Sequence, residues 1–147
     1  MKITKIIYNI KKTMKLKDIS IGNWVCFNNR YWQVENIMER KIHLKSLHEL
    51  GYILYFYIEA NVDIYPISIT KQIYENNGFR RVITDNNEHE WRLYYDDSII
   101  IINETNYFVK IEKNNETIFY FKYNLELFLH ELQNILTLCD IEKEFIL

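Results

Sequence analysis

FRRVITDNNEHEWRLYYDDSIIIINETNYFVKIEKNNETIFYFKY, residues 79–123, alternates short apolar runs with clusters of Asp, Asn and Glu. Phe79 to Thr84, His89 to Tyr95, Ser98 to Ile102, Tyr107 to Lys113 and Thr117 to Tyr123 have the β-branched and aromatic content of strands. Asp85-Asn86-Asn87, Asp96-Asp97, Asn103 to Asn106 and Asn114-Asn115-Glu116 have the composition of turns. Strands joined by such short connections pair antiparallel, so this stretch reads as a β-meander.

On its C-terminal side the period changes. Leu125, Phe128, Leu129, Leu132, Ile135, Leu136 and Cys139 recur at the spacing of one buried helical stripe, which predicts a long helix from Leu125 to Cys139 capped by Asn124. The tail Ile141 to Leu147 has the content of a last edge strand. On the N-terminal side, Thr70 is an N-cap for a short helix Lys71 to Asn77, and Gly78 is the residue that ends it in left-handed backbone. Earlier still, Trp24 to Phe27, Tyr31 to Met38, Lys41 to Lys45 and Tyr52 to Ile58 read as strands, with turns at Asn28-Asn29 and Glu39-Arg40. Pro66 ends any regular strand. The fold class is therefore α+β: an antiparallel meander or small barrel-like sheet packed by one long C-terminal and one short central helix. Residues 14–147 form one domain. Residues 1–13 read as an extension that is either strand or helix, because Met14 offers a second start.

The chain has 147 residues, enough for a core without disulfide staples. With 48% apolar and 26% charged residues its composition is that of a soluble globular protein. A net charge of −2 provides no basic field for nucleic acid or anionic membrane. The 12 Tyr and 8 Phe match an AT-rich codon bias as well as an aromatic surface. Cys26 and Cys139 lie far apart in apolar settings and read as reduced, buried thiols. No secretory signal or membrane span is read from the sequence, since Ile99 to Ile102 is far too short to cross a bilayer; the expected location is cytoplasmic.

Enzyme chemistry finds little purchase. His130-Glu131 begins the zinc-protease helix motif, but the position of the second His is Asn134. His43, His48 and His89 lack ligand spacing with a Cys pair. Glu88, Glu90, Asp96 and Asp97 gather at one hairpin, where charges are ordinarily solvated. With 3 Gly in the chain, neither a phosphate loop nor a dinucleotide fingerprint can be written. The expectation is a protein that is not an enzyme, with no cofactor and no metal.

A binding role is carried by Arg80, Arg81 and Arg92 among Phe79, Trp91, Tyr94 and Tyr95. Arg92 and Tyr94 share a strand face by the period-2 rule. Guanidinium groups beside aromatic rings suit a small anionic ligand, with Arg80, Arg81, Trp91, Arg92 and Tyr94 as candidates. The plainer alternative is that these arginines cover the sheet's aromatic surface. His130, Gln133 and Asn134 fall together on one helix face. They are expected to satisfy polar groups at the sheet margin or around Ile19 to Trp24; the alternative is that they line a pocket. Tyr52 to Ile58 and Ser98 to Ile102 are apolar on both faces, which predicts a homo-oligomer.

Three ordered motifs carry a family resemblance: Ile19-Ser20-Ile21-Gly22-Asn23-Trp24-Val25, then Ile64 to Thr70 with Gly78-Phe79, then His130-Glu131-Leu132-Gln133-Asn134. Together they resemble a family of small proteins abundant in Bacteroidetes and in their phages and prophages, over nearly the whole chain from Met14. Leu136-Thr137-Leu138-Cys139-Asp140 departs from that family's usual Phe-Ala-Leu-Thr-Gly. The resemblance implies a mobile-element setting but no catalytic residue and no ligand. Two partners fit that setting: a small anionic nucleotide signal of host defence that the protein sequesters, or a host protein bound by an aromatic sheet face. A housekeeping structural domain is the third class.

Overall fold

The computed structural model describes residues 13–47, 50–59 and 62–147. The proposed extension, apart from residue 13, and His48 lie outside the described residues. Among the described residues nine antiparallel strands form two sheets, accompanied by two α-helices, which makes the class α+β. Among the described residues each sheet is a linear run of strands with two edges, and no closed barrel is seen. The chain divides into two compact units.

The first unit comprises the residues up to Ile67 together with Phe128–Asn134. Its sheet runs β1 (Trp24–Phe27), β2 (Arg30–Ile37), β3 (Lys41–Leu47), β4 (Ile53–Glu59) in that order. Asn28 and Asn29 make the first hairpin turn with φ of 52° and 57°, a conformation that Asn tolerates. Alternation places Trp32 and Val34 of β2 with Ile42 and Leu44 of β3 in one core, alongside Val25, Ile58 and Ile64. The outer edge of β1 is covered by the chain itself: Cys26 and Tyr65 exchange two backbone hydrogen bonds of 2.9 Å.

The second unit comprises Ser68–Leu127 and Ile135–Leu147. Helix α1 (Lys71–Asn76) starts where Thr70 Oγ1 accepts the Ile73 N–H at 3.2 Å. It ends in a Schellman motif: the Phe79 N–H donates to the Tyr74 carbonyl, the Gly78 N–H donates to that of Glu75, and the Tyr74 and Phe79 rings meet edge to face. Five strands follow in meander order: β5 (Arg80–Ile83), β6 (His89–Tyr95), β7 (Ser98–Asn103), β8 (Phe108–Lys113) and β9 (Glu116–Lys122). Register puts Trp91 opposite Ile102 and Leu93 opposite Ile100, a pattern continued by Val109 and Ile111. All six are buried on one sheet face.

Three expectations are corrected. The long helix, α2, spans Leu129–Leu138 and not Leu125 to Cys139. Leu125 has φ of 66° and is exposed, so Asn124 is not the N-cap of this helix. The helix instead begins where the Glu131 carboxylate accepts the Phe128 N–H at 3.0 Å, half of a capping box. The tail is not a strand either. Buried Asn77 acts as its peptide-like partner, donating to the Ile146 carbonyl at 2.9 Å and accepting its N–H at 2.7 Å. Finally, β7 is not an exposed two-sided strand, because its residues from Ile100 to Asn103 are all buried.

Candidate functional site

In the second unit a cleft of about 260 Å3 opens between α1, the sheet's edge at β5–β6, and the loops around Glu104–Tyr107 and Tyr123–Leu127. Its floor is aromatic. Tyr74 lies flat on Trp91, centroids 4.8 Å apart and planes 16° from parallel. The Arg81 guanidinium sits over the same indole, 5.2 Å from its centroid. Strand register explains this juxtaposition, since Arg81 is the cross-strand partner of Trp91.

Arg81 is also held at its far end. Its Nη2 lies 3.0 Å from His89 Nδ1, and Nη1 lies 3.5 Å from Glu104 Oε1. Tyr123 and Tyr107 close the other side, their rings edge to face at 5.9 Å. The Tyr123 hydroxyl donates to the Asn103 carbonyl at 2.9 Å. Burial, then Glu104 and Tyr107, push that hydroxyl up to about 12. Burial likewise raises the Tyr74 hydroxyl, reinforced by Tyr123 and Glu104 and opposed by Arg81. Both phenols therefore stay protonated at neutral pH.

Two bulky residues of the cleft wall have left-handed backbone, Tyr107 at φ 57° and Leu125 at φ 66°. Such residues pay steric strain there, and strain of this kind concentrates at binding sites. The loop bearing Tyr107 is built by buried Asn103, whose Oδ1 accepts the N–H groups of Thr105 and Asn106. Lys71 and Glu126 complete the charged lining, so two cations face two carboxylates, Glu104 being the second.

The five candidates from the sequence are thus divided. Arg81 and Trp91 belong to the cleft. Arg92 pairs with Arg80 across β5 and β6, one residue out of phase with Arg81 and Trp91, so Arg80, Arg92 and Tyr94 lie on the opposite sheet face. The Arg92 guanidinium is already engaged, with Nε at 3.0 Å and Nη2 at 2.6 Å from Glu90 Oε1. That hydrogen bond raises the Arg92 pKa further, against the lowering effect of burial. Glu90 is held in turn by buried Asn103 at 2.9 Å. Lys71, Tyr74, Glu104, Tyr107 and Tyr123 were missed by the sequence reading; the Gly78 stop that fixes α1 was the one available hint for Tyr74.

Gln133 and Asn134 satisfy polar groups around Ile19 to Trp24, as expected of them. Gln133 accepts the Trp24 N–H at 2.8 Å and donates to the Gly22 carbonyl at 3.0 Å. Asn134 accepts from Asn23 Nδ2 at 2.9 Å. His130 is buried, but its Nδ1 has no hydrogen-bond partner among the described residues, so the role expected of its imidazole is not seen at that nitrogen. Cys26 and Cys139 are free thiols, both pushed up by burial, Cys139 also by Asp140. Among the described residues no group of His, Cys, Asp and Glu is arranged to hold a metal ion. Nor is any of their helices long and apolar enough to cross a membrane. No protein-family model, curated protein or solved structure matches the chain.

Proposed function

We propose that the protein is a non-enzymatic binding module whose cleft takes a small ligand that joins a planar ring to an anionic group, a mononucleotide by preference. The observation that carries this reading is the Arg81 guanidinium poised over Trp91 beside a cleft walled by two residues in strained backbone. Arg81 and Lys71 suit a phosphate, while Glu104 and Glu126 suit the amino donors of a base. Size selects within the class. A cleft of about 260 Å3 lies at the lower edge of the ~300–1,000 Å3 of ligand pockets, which favours one base with its sugar over a dinucleotide. The resemblance to phage-associated proteins extends the proposal to sequestration of a nucleotide signal of host defence in the cytoplasm.

A thermal-shift comparison of adenosine and guanosine monophosphates with cyclic dinucleotides tests the reading, because a ligand of the native state raises its melting temperature. The mononucleotides should give the larger shift, and Arg81→Ala or Tyr107→Ala should abolish it while Arg92→Ala leaves it intact. No shift, or a shift lost in Arg92→Ala and kept in Arg81→Ala, would refute the cleft. A second reading, an adaptor for a host protein, is favoured by the exposure of Tyr94 and Tyr120 on the opposite sheet face. A partner whose capture is lost in Tyr94→Ala and kept in Arg81→Ala would support it.

A further inference from the structure

The outer edge of β4 is an unpaired sheet edge among the described residues of the first unit. At the other end of that sheet, β1 is covered by Tyr65, whereas no strand among the described residues pairs with the outer side of β4. Exposed edges are ordinarily blunted by Lys, Pro, a bulge or brevity. Strand β4 uses none of these. It is seven residues long, pairs with β3 without a register break from Ile53 to Glu59, and carries its only charge at the last position. Ile53, Tyr55, Phe56 and Tyr57 are each about half exposed, at 53%, 54%, 49% and 57%.

We propose that β4 is a homodimer interface, pairing antiparallel with β4 of a second copy about a two-fold axis at Phe56. The argument for a second copy is self-complementarity. Leu54-Tyr55-Phe56-Tyr57-Ile58 reads nearly the same in both directions, so this register sets each of these five against its own kind: Phe56 against Phe56, Tyr55 against Tyr57, Leu54 against Ile58, with Ile53 against Glu59 at the two ends. Aromatic and branched cross-strand pairs of this sort stabilise antiparallel ladders. The two Glu59 carboxylates fall six positions apart along the shared ladder, roughly 20 Å at ~3.4 Å per residue, beyond the range of strong repulsion.

Area supports the same answer. A buried aromatic removes roughly 150–250 Å2 from water, so half-exposed Tyr55, Phe56 and Tyr57 supply about 75–125 Å2 each. With Ile53 and the strand's backbone edge, both partners together reach on the order of 1,000 Å2, the lower bound for a specific interface. Assembly stops at two copies, because the opposite edge of each sheet is already covered by Tyr65. The rival edge, β9, is less suited. Its register shifts where Ile111 pairs Phe119 and Glu112 pairs Thr117, which leaves Ile118 as a bulge in mid-strand.

Light scattering after size exclusion at micromolar concentration tests the proposal, which is independent of the cleft. The wild type should have twice the monomer mass of 18.1 kDa. The double substitution Tyr55→Lys/Tyr57→Lys sets like charges against each other at both flanking pairs, so the mass should fall to that of the monomer while far-ultraviolet circular dichroism stays unchanged. The pair Tyr55→Lys/Tyr57→Glu sets opposite charges together in this register alone, and the dimer should return. A monomeric wild type, a double-lysine variant that stays dimeric, or a charge pair that fails to restore the dimer would each overturn it.

Discussion

Gln133 behaves as a piece of backbone supplied by a side chain. Its amide meets the Trp24 N–H at 2.8 Å and the Gly22 carbonyl at 3.0 Å, satisfying the chain where it enters β1. Gln133→Ala removes both bonds. Each is worth about 0.5–1.5 kcal/mol net, and leaving a part-buried donor without its acceptor adds to the loss. The Gly22 carbonyl is spared, because Gln33 Nε2 also donates to it at 3.0 Å. The total is therefore about 1–3 kcal/mol, or a fall in melting temperature of roughly 3–10 °C for a chain of this size. Gln133→Glu sharpens the test: it keeps the acceptor for Trp24 but turns an oxygen toward the Gly22 carbonyl, so it should not rescue the loss. Asn134→Ala should cost a similar amount, since buried Asn23 loses a 2.9 Å partner. The double variant should cost less than the sum, as neighbouring members of one network do not act independently. Urea unfolding measures all four. A Gln133→Ala protein within about 0.5 kcal/mol of wild type would refute the clamp.

Gly78→Ala should destabilise by about 1–2 kcal/mol, because left-handed backbone disfavours any Cβ; Gly78 has φ of 86°, and the added carbon would meet the Leu93 side chain at 3.3 Å. A melt unchanged by that substitution would contradict the tight stop of α1. Burial lowers the His130 pKa from its ordinary 6.5, with Asp18 opposing, so the unfolded chain takes up the proton first as pH falls. Stability from this group is complete above about pH 6.5 and is lost as the pH drops toward the lower folded value. The melting temperature of His130→Gln should accordingly vary less than that of wild type between about pH 5 and pH 7.

Where local chemistry dictates the backbone, the sequence was legible. Trp24–Phe27 and His89–Tyr95 fall where strand composition and turn residues put them, and Thr70 and Gly78 bound α1 as cap residues should. The start of α2 was misread for an identifiable reason. Leu125 fits the stripe by spacing, but apolar spacing carries no information about backbone handedness, and φ of 66° removes it from the helix. The contrary signal was Glu131, three residues after Phe128, in capping-box position.

The candidate cleft failed and succeeded on the same rule. Alternation along His89 to Tyr95 already separates Trp91 from Arg92 and Tyr94, so no single pocket on that sheet could hold all three. Choosing between Arg80 and Arg81 required the register of β5 against β6, which depends on how the 84–88 loop turns and not on the strands' composition. Tyr107 and Tyr123 stand one residue outside β8 and β9, although strand composition extends over both; Leu125 lies in the connection after β9, and Tyr107 and Leu125 have backbone that their residue types disfavour. A cleft made from register, a helix stop and two strained connections leaves few marks in local sequence, although each wall follows from a nameable interaction. Asn103 is the clearest example: it anchors the loop of Tyr107 on one side and holds Glu90, hence Arg92, on the other. Arg92 thus stands two contacts away from the loop of Tyr107, through Glu90 and that asparagine, whereas Arg81 lines the cleft itself.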